Sequence, residues 1–133
     1  MVEKIGNPAI RDFLKANDLT ESFLENPSRT TPADLALFFE KLYNGQLSSP
    51  EGTRQILDVL KKQTLNDKLP KYLPEKIDIA HKPAEIDYLT HDAGLVFSAR
   101  GDYVIVVMSE SDFPPGAEER IALISKSVYD YFQ

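Results

Sequence analysis

The side chains that could do chemistry concentrate between positions 81 and 91. His81 and Lys82 are adjacent, the carboxylates Glu85 and Asp87 follow, and His91 comes ten residues after the first histidine. Paired carboxylates can do acid–base work, but we predict a solvated loop at residues 83–88. Two histidines without cysteine lack the ligand spacing of a zinc site, so no metal and no other cofactor is expected. We expect His81 to pack in a sheet and His91 to be a local hydrogen-bonding group.

Three helices are predicted in the first half of the chain. Asn7, Thr31 and Ser49 each precede a proline, which is typical of an N-cap followed by the first helical residue. Apolar residues at helical spacing follow each of these pairs. Asp34, three residues after Thr31, predicts a capping box. Residues 63–75, which carry two prolines, are predicted to be a loop.

Three strands and a last helix are predicted in the second half. Residues 76–82 alternate, residues 93–97 form a second strand, and residues 103–108, from Tyr103 to Met108, are continuously apolar and β-branched. The turn Arg100-Gly101-Asp102 makes the last two strands an antiparallel hairpin. The closing helix is predicted to bury four apolar residues. These are Ile121, Ile124, Val128 and Phe132.

The predicted fold class is α+β: three helices, a three-stranded antiparallel meander and a closing C-terminal helix. The 133 residues are the size of one domain, so we predict a single domain over 1–133. Residues 1–75 would be its mainly helical part, and residues 76–133 would hold the sheet and the last helix.

The net charge and the lengths of the apolar segments indicate which kinds of partner are not expected. The net charge of −6 repels phosphate backbones, so nucleic acid is not an expected partner. No stretch is long enough to span a membrane. Residues 1–7 lack the apolar segment of a signal peptide, and the compartment stays open.

An ordered set of segments resembles one family. Residues 30–36 read Thr-Thr-Pro-Ala-Asp-Leu-Ala and resemble the Thr-Thr-Pro-x-Asp-Leu-Ala segment of class A β-lactamases and their serine-hydrolase relatives. Residues 13–20 resemble the stretch before that family's Ω-loop, and residues 47–50 also match. Residues 80–82 and 91–96 resemble its Lys-Thr-Gly strand and the strand paired to it. The resemblance implies the C-terminal half of a β-lactamase or penicillin-binding-protein-like fold, from relatives that work outside the cytoplasm.

Most of the active site that the resemblance implies has no counterpart in the chain. The family uses a Ser-x-x-Lys nucleophile and a Ser-x-Asn loop. Both lie upstream of the matched segments, and neither pattern occurs here. The Ω-loop is shortened to residues 23–29. Its Glu25 does not match the spacing of the family's glutamate, so we expect a solvated loop residue.

The Lys-Thr-Gly strand is matched in part. Lys82 matches the lysine, whereas Pro83 and Ala84 replace threonine and glycine, which removes a hydroxyl and adds a methyl group where a substrate would approach. The backbone N–H of Glu85 falls where the family places an oxyanion-hole donor. Lys82 and Glu85 are therefore the predicted remnant of a ligand-binding site, and no catalytic residue is predicted.

Two functions remain open at this stage. The chain is either the C-terminal portion of a serine hydrolase acting by acyl transfer on a β-lactam, peptidoglycan peptide or ester, inactive alone, or a degenerate non-catalytic module that binds a protein partner or cell-wall ligand. In the family, further strands lie beside the strand from Tyr103 to Met108. We therefore expect that edge to pair with a second copy, a missing N-terminal segment or a partner chain.

Overall fold

A computed structural model describes residues 6–24 and 26–133 of the chain. Three helices come first: α1 (Asn7–Ala16), α2 (Pro32–Tyr43) and α3 (Pro50–Lys61). The strands β1 (Asp78–Ile86), β2 (Leu89–Phe97) and β3 (Tyr103–Glu110) form an antiparallel meander in the order β1-β2-β3, and the helix α4 (Pro114–Phe132) follows. This arrangement confirms the predicted α+β class. Within the described residues, no helix is both long and apolar enough to cross a membrane.

Side-chain caps start two of the three predicted helices. The Thr31 hydroxyl accepts a hydrogen bond from the Asp34 N–H at 3.2 Å, and the Ser49 hydroxyl accepts one from the Gly52 N–H at 3.1 Å. Each bond satisfies one of the donors that a helix N-terminus leaves unpaired. The predicted cap of α1 is wrong: Asn7 is its first helical residue, and Gly6 precedes it at φ 79° without a side-chain bond.

The strands are longer than predicted, and the loop predicted at residues 83–88 is wrong. β1 continues through Pro83 to Ile86, and Pro83 pairs in register with Asp92. A proline is tolerated there because β1 lies at the sheet edge, where only one side of the backbone needs a partner. Asp87 and Tyr88 alone connect β1 to β2. Asp87 adopts φ 51°, a left-handed conformation that aspartate accepts in turns.

The two faces of the sheet pack against different helices. On the α4 face, defined by Ile79, Val96 and Ile105, side chains form a core with α4 and the loop 63–75. On the α2–α3 face, defined by Ala80, Leu95 and Val104, side chains pack against those two helices. Cross-strand partners share a face, so this division assigns every residue of the sheet to one side.

The buried stripe of α4 differs from the predicted one. Ile121 is buried, whereas Ile124 and Phe132 are 45% and 49% exposed. The buried residues recur mainly every four positions. They are Ala117, Ile121, Ala122, Ser125 and Tyr129. The Ser125 hydroxyl lies in this stripe because it donates a hydrogen bond to the Leu69 carbonyl at 2.8 Å, a contact that the spacing of apolar residues does not reveal.

Candidate functional site

The two predicted ligand-binding residues lie near the end of β1. Lys82 is exposed, and its ammonium group donates a hydrogen bond to the Pro83 carbonyl at 2.9 Å. Glu85 comes three residues later in the same strand, so its side chain lies on the α4 face while that of Lys82 lies on the α2–α3 face. The structure therefore places both residues on one strand and does not bring their side chains together.

A buried lysine that the sequence did not reveal is the partner of Glu85. Lys68 is 1% exposed, lies in the loop 63–75, and forms an ion pair with Glu85. Its ammonium nitrogen also lies 3.8 Å from a carboxylate oxygen of Glu118 in α4. The hydrogen bond and the positive charge of Lys68 hold the pKa of Glu85 below its usual value. The Glu85 carboxylate thus has an internal cation as its partner.

A buried polar network fixes the same loop to the sheet. Asp92, which is fully buried in β2, lies 3.0 Å from Nδ1 of His81 and accepts a hydrogen bond from the Leu69 N–H at 3.2 Å. Nε2 of His81 lies 3.2 Å from the Asn66 side-chain oxygen. A Cβ atom at Gly94 would lie 2.6 Å from the Cβ of His81 and 2.6 Å from the Ala80 carbonyl oxygen, so glycine permits the close approach of β1 and β2 at this point. His81 is therefore a packed residue of the sheet, as predicted.

The second histidine lies on the opposite face. Nδ1 of His91 accepts a hydrogen bond from the Ser109 N–H at 3.1 Å, which is the local role predicted for it. The two histidines do not share a site, because positions ten residues apart on adjacent strands point to different faces here.

Within residues 6–24 and 26–133, no serine hydroxyl is hydrogen-bonded to a lysine or a histidine. Nucleophilic serine chemistry requires such an adjacent base. The same described residues contain no group of three histidine or carboxylate side chains that could hold a metal ion. Glu25 lies outside the residues that the structure describes, so its predicted role stays a prediction.

A groove of about 750 Å³ lies on the α2–α3 face. Its floor is the far end of the sheet, and its walls are α1, the segment after it and α2. The floor residues are Ile86, Leu89, His91, Met108, Ser109 and Glu110, and the apolar wall residues are Ile10, Leu14, Leu19, Phe23, Leu24, Leu35 and Phe38. We call this feature the apolar groove. Ile86 and Leu89 are 67% and 40% exposed in it.

Asp34 positions one wall of the apolar groove. It is buried at the start of α2, and its carboxylate accepts hydrogen bonds from the Glu21 N–H at 3.0 Å and from the Ser22 hydroxyl at 2.7 Å. In a capping box the Asp34 carboxylate would accept a hydrogen bond from the Thr31 N–H. That part of the prediction is wrong, because the carboxylate binds Glu21 and Ser22 of the preceding segment instead. A buried carboxylate that accepts several hydrogen bonds fixes its partners firmly.

An antiparallel sheet with helices on both faces and the strand of Lys82 at its edge agrees with the class of β-lactamase and penicillin-binding-protein folds. The family model described as the β-lactamase enzyme family matches residues 1–132. The chain belongs to that family.

Solved structures agree with this assignment. The structure of PBP-A is 27% identical and superposes with a TM-score of 0.92, covering 98% of this chain and 53% of its own. A mutant of PBP-A, described as an acyl-enzyme complex with penicillin G, is 29% identical with a TM-score of 0.87 and coverages of 96% and 52%. A β-lactamase from Sphaerobacter thermophilus DSM 20745 is 23% identical with a TM-score of 0.91 and coverages of 98% and 55%.

The chain spans about half the length of the solved structures it matches. No curated protein matches it.

Proposed function

We propose that this chain is the C-terminal module of a class A β-lactamase-like serine hydrolase and is inactive alone. Acyl transfer in that class requires a serine nucleophile, an adjacent base and an oxyanion hole. The chain supplies the scaffold and the strand of Lys82, and the nucleophile would come from a segment outside residues 1–133. Membership of the family and the likeness to PBP-A support the reaction class.

The proposal that the isolated chain is inactive rests on one observation. The part of the chain that the structure describes pairs no serine hydroxyl with a lysine or histidine, and no Ser-x-x-Lys occurs in the sequence. A hydroxyl without a base remains protonated near neutral pH and attacks a β-lactam poorly.

The test is reaction of the purified chain with a fluorescent penicillin and a chromogenic β-lactam, followed by intact-mass measurement. We expect no adduct and no turnover, while a full-length serine β-lactamase treated in parallel shows both. An adduct on the isolated chain would contradict the proposal, and the modified peptide would identify an unrecognised nucleophile.

The second candidate is a non-catalytic module that binds a cell-wall ligand or a protein. One feature of β1 favours it. Pro83 and Ala84 replace the residues that would contact a substrate. The coding sequence upstream of residue 1 separates the two functions: a Ser-x-x-Lys there supports the hydrolase, and its absence supports the binding module.

A further inference from the structure

Residues 66–73, which we call the strap, contact both β1 and α4 on the α4 face of the sheet. We infer that the strap is an acid-sensitive device. When Glu85 and Glu118 take up protons, the ammonium group of Lys68 leaves its buried position, and the strap opens with it. This inference goes beyond the proposed function and does not depend on it.

The position of Lys68 makes the strap sensitive to acid. Its side chain is 1% exposed and forms an ion pair with Glu85 of β1. Its ammonium nitrogen also lies 3.8 Å from a carboxylate oxygen of Glu118 in α4. Both carboxylates are partly exposed, at 51% and 27%, so protons reach them from solvent. A buried ammonium group is strongly unfavourable once its partners are neutral, and a lysine keeps its own charge in acid.

Further contacts of the strap also end on a carboxylate. Glu119 of α4 accepts hydrogen bonds from the Lys71 ammonium group and from the Tyr72 hydroxyl, each at 2.6 Å. Hydrogen bonds from the strap, first those of Lys68 and Lys71, hold the pKa of Glu85 and of Glu119 below the usual value. Groups with a lowered pKa stabilise the closed strap near neutral pH, and that contribution is lost as the pH falls through the lowered values.

The contacts of Leu69 respond differently to acid. Its N–H donates a hydrogen bond to Asp92 at 3.2 Å, and its carbonyl accepts one from the Ser125 hydroxyl at 2.8 Å. Asp92 also lies 3.0 Å from Nδ1 of His81. A proton taken up by His81 therefore keeps a carboxylate partner, and it adds positive charge to the face of the sheet that holds Lys68. This addition acts in the same direction as the loss of charge at the glutamates.

The titratable side chains in polar contact with the strap come from β1, β2 and α4. They are His81, Glu85, Asp92, Glu118 and Glu119. Tyr129 of α4 packs in the same core, and Asp67, in the strap itself, is exposed. Lys61 and Asp78, which lie beside the strap in a pocket, pair with each other. None of these side chains gains negative charge in acid, so none replaces the partners of Lys68.

Opening of the strap uncovers apolar side chains of the α4 face. Leu69 and Leu73 are 0% and 8% exposed and belong to the core that includes Val96 and Ile121. The strap contains no helix or strand, so its position depends on these side chains and on its polar contacts. The sheet and α4 have their own backbone hydrogen bonds, so a local opening can leave them folded. In acid the module therefore presents an apolar site that is closed near neutral pH.

Hydrogen exchange of the 133-residue chain, followed by mass spectrometry, measures this opening. Rates at each pH are divided into those of an unstructured peptide, which gives the protection of the strap amides. We expect this protection to fall about tenfold between about pH 7 and about pH 3, because the glutamates lose their charge. The protection of β2 should fall less, because the sheet stays folded.

Two variants of the ion pair should act in opposite directions. Glu85→Gln mimics the protonated carboxyl group and should lower strap protection about threefold at about pH 7. Lys68→Met removes the buried charge at similar volume, so the strap should stay closed at both pH values. Lys126→Met is the matched control, because it removes the lysine of an ion pair within α4, with Asp130, and should respond to acid as wild type does.

Three results would overturn the inference. They are equal acid responses of wild type and Lys68→Met, equal losses of protection in the strap and β2 of wild type, and unchanged strap protection in Glu85→Gln near neutral pH. Circular dichroism shows whether each variant is folded. If Lys68→Met does not fold, Lys68→Gln tests the same loss of charge, and the result for Glu85→Gln decides independently.

Discussion

The two faces of the sheet differ in how completely the chain covers them. On the α4 face, apolar side chains are buried against α4 and the loop 63–75, and ionic and polar contacts of Lys68 and Asp92 fix that loop. On the α2–α3 face, the core ends partway along the strands, and Ile86 and Leu89 remain exposed in the apolar groove. The comparison separates a face on which charged and apolar groups are buried together from a face that leaves several apolar side chains exposed in one groove.

Truncation of an isoleucine on each face should give the largest difference. Ile121→Ala removes a side chain that is 1% exposed on the α4 face, and we expect a loss of about 3 kcal/mol in the free energy of unfolding. Ile86→Ala should cost about 0.5 kcal/mol or less, because the side chain is already largely in water. Urea denaturation measures both. Equal losses would show that the groove is closed in solution and would remove the distinction between the faces.

Loss of the buried polar network around Asp92 should give the next largest change in the free energy of unfolding. Asp92→Ala leaves the Leu69 N–H and the ring of His81 without their partner, and we expect a loss of about 2 to 3 kcal/mol in the free energy of unfolding. Asp58→Ala, at an exposed position of α3, is the control and should change stability by about 0.5 kcal/mol or less. If both variants unfold at the same urea concentration, the network does not stabilise the α4 face.

The ion pair of Lys68 predicts a smaller, pH-dependent effect. Because the folded-state pKa of Glu85 is lowered, its contribution is present above the unfolded pKa of about 4.3 and is lost as the pH falls through the folded value. Wild type should therefore lose more stability than Glu85→Gln between about pH 6 and pH 3, by about 1 kcal/mol or less, since the side chain is 51% exposed. Urea titrations at several pH values test this, with Glu75→Gln as the control. Parallel curves for wild type and Glu85→Gln would contradict it.

The smallest predicted effect concerns a buried hydroxyl on the α4 face. Tyr103 stacks on Phe132 with ring centroids 5.4 Å apart, and its hydroxyl has no hydrogen-bond partner among the described residues. Burial raises the pKa of Tyr103 to about 12. Tyr103→Phe should leave the free energy of unfolding within about 0.5 kcal/mol or raise it, because it removes a desolvated polar group. A larger loss in urea denaturation would indicate a bound partner for this hydroxyl.

Periodicity predicted the elements of this fold well and their ends less well. The caps at Thr31 and Ser49 depend only on local chemistry, and they were predicted correctly. β1 was predicted to stop before Pro83, where the alternating pattern of residues 76–82 ends. Its continuation depends on the edge position of the strand, which is a tertiary property.

The contacts of the candidate site were less predictable than the fold. Lys82 and Glu85 were identified through resemblance to a strand motif, and nothing in their spacing revealed Lys68. Lys68 lies in a loop with two prolines and is separated from Glu85 by 17 positions. Its burial depends on how the loop folds over β1 and α4. Similarly, the register that places Asp92 beside His81 follows from the turn at Asp87 and Tyr88, which was predicted to be part of a longer loop.

That two-residue turn also bears on the speed of folding. Every strand pairing joins neighbours in the sequence, across Asp87 and Tyr88 or across the short segment between β2 and β3. Closing such short loops costs little chain entropy, and domains rich in local contacts fold faster than those that depend on distant ones. The strand pairings of the meander therefore require little closure of long chain segments.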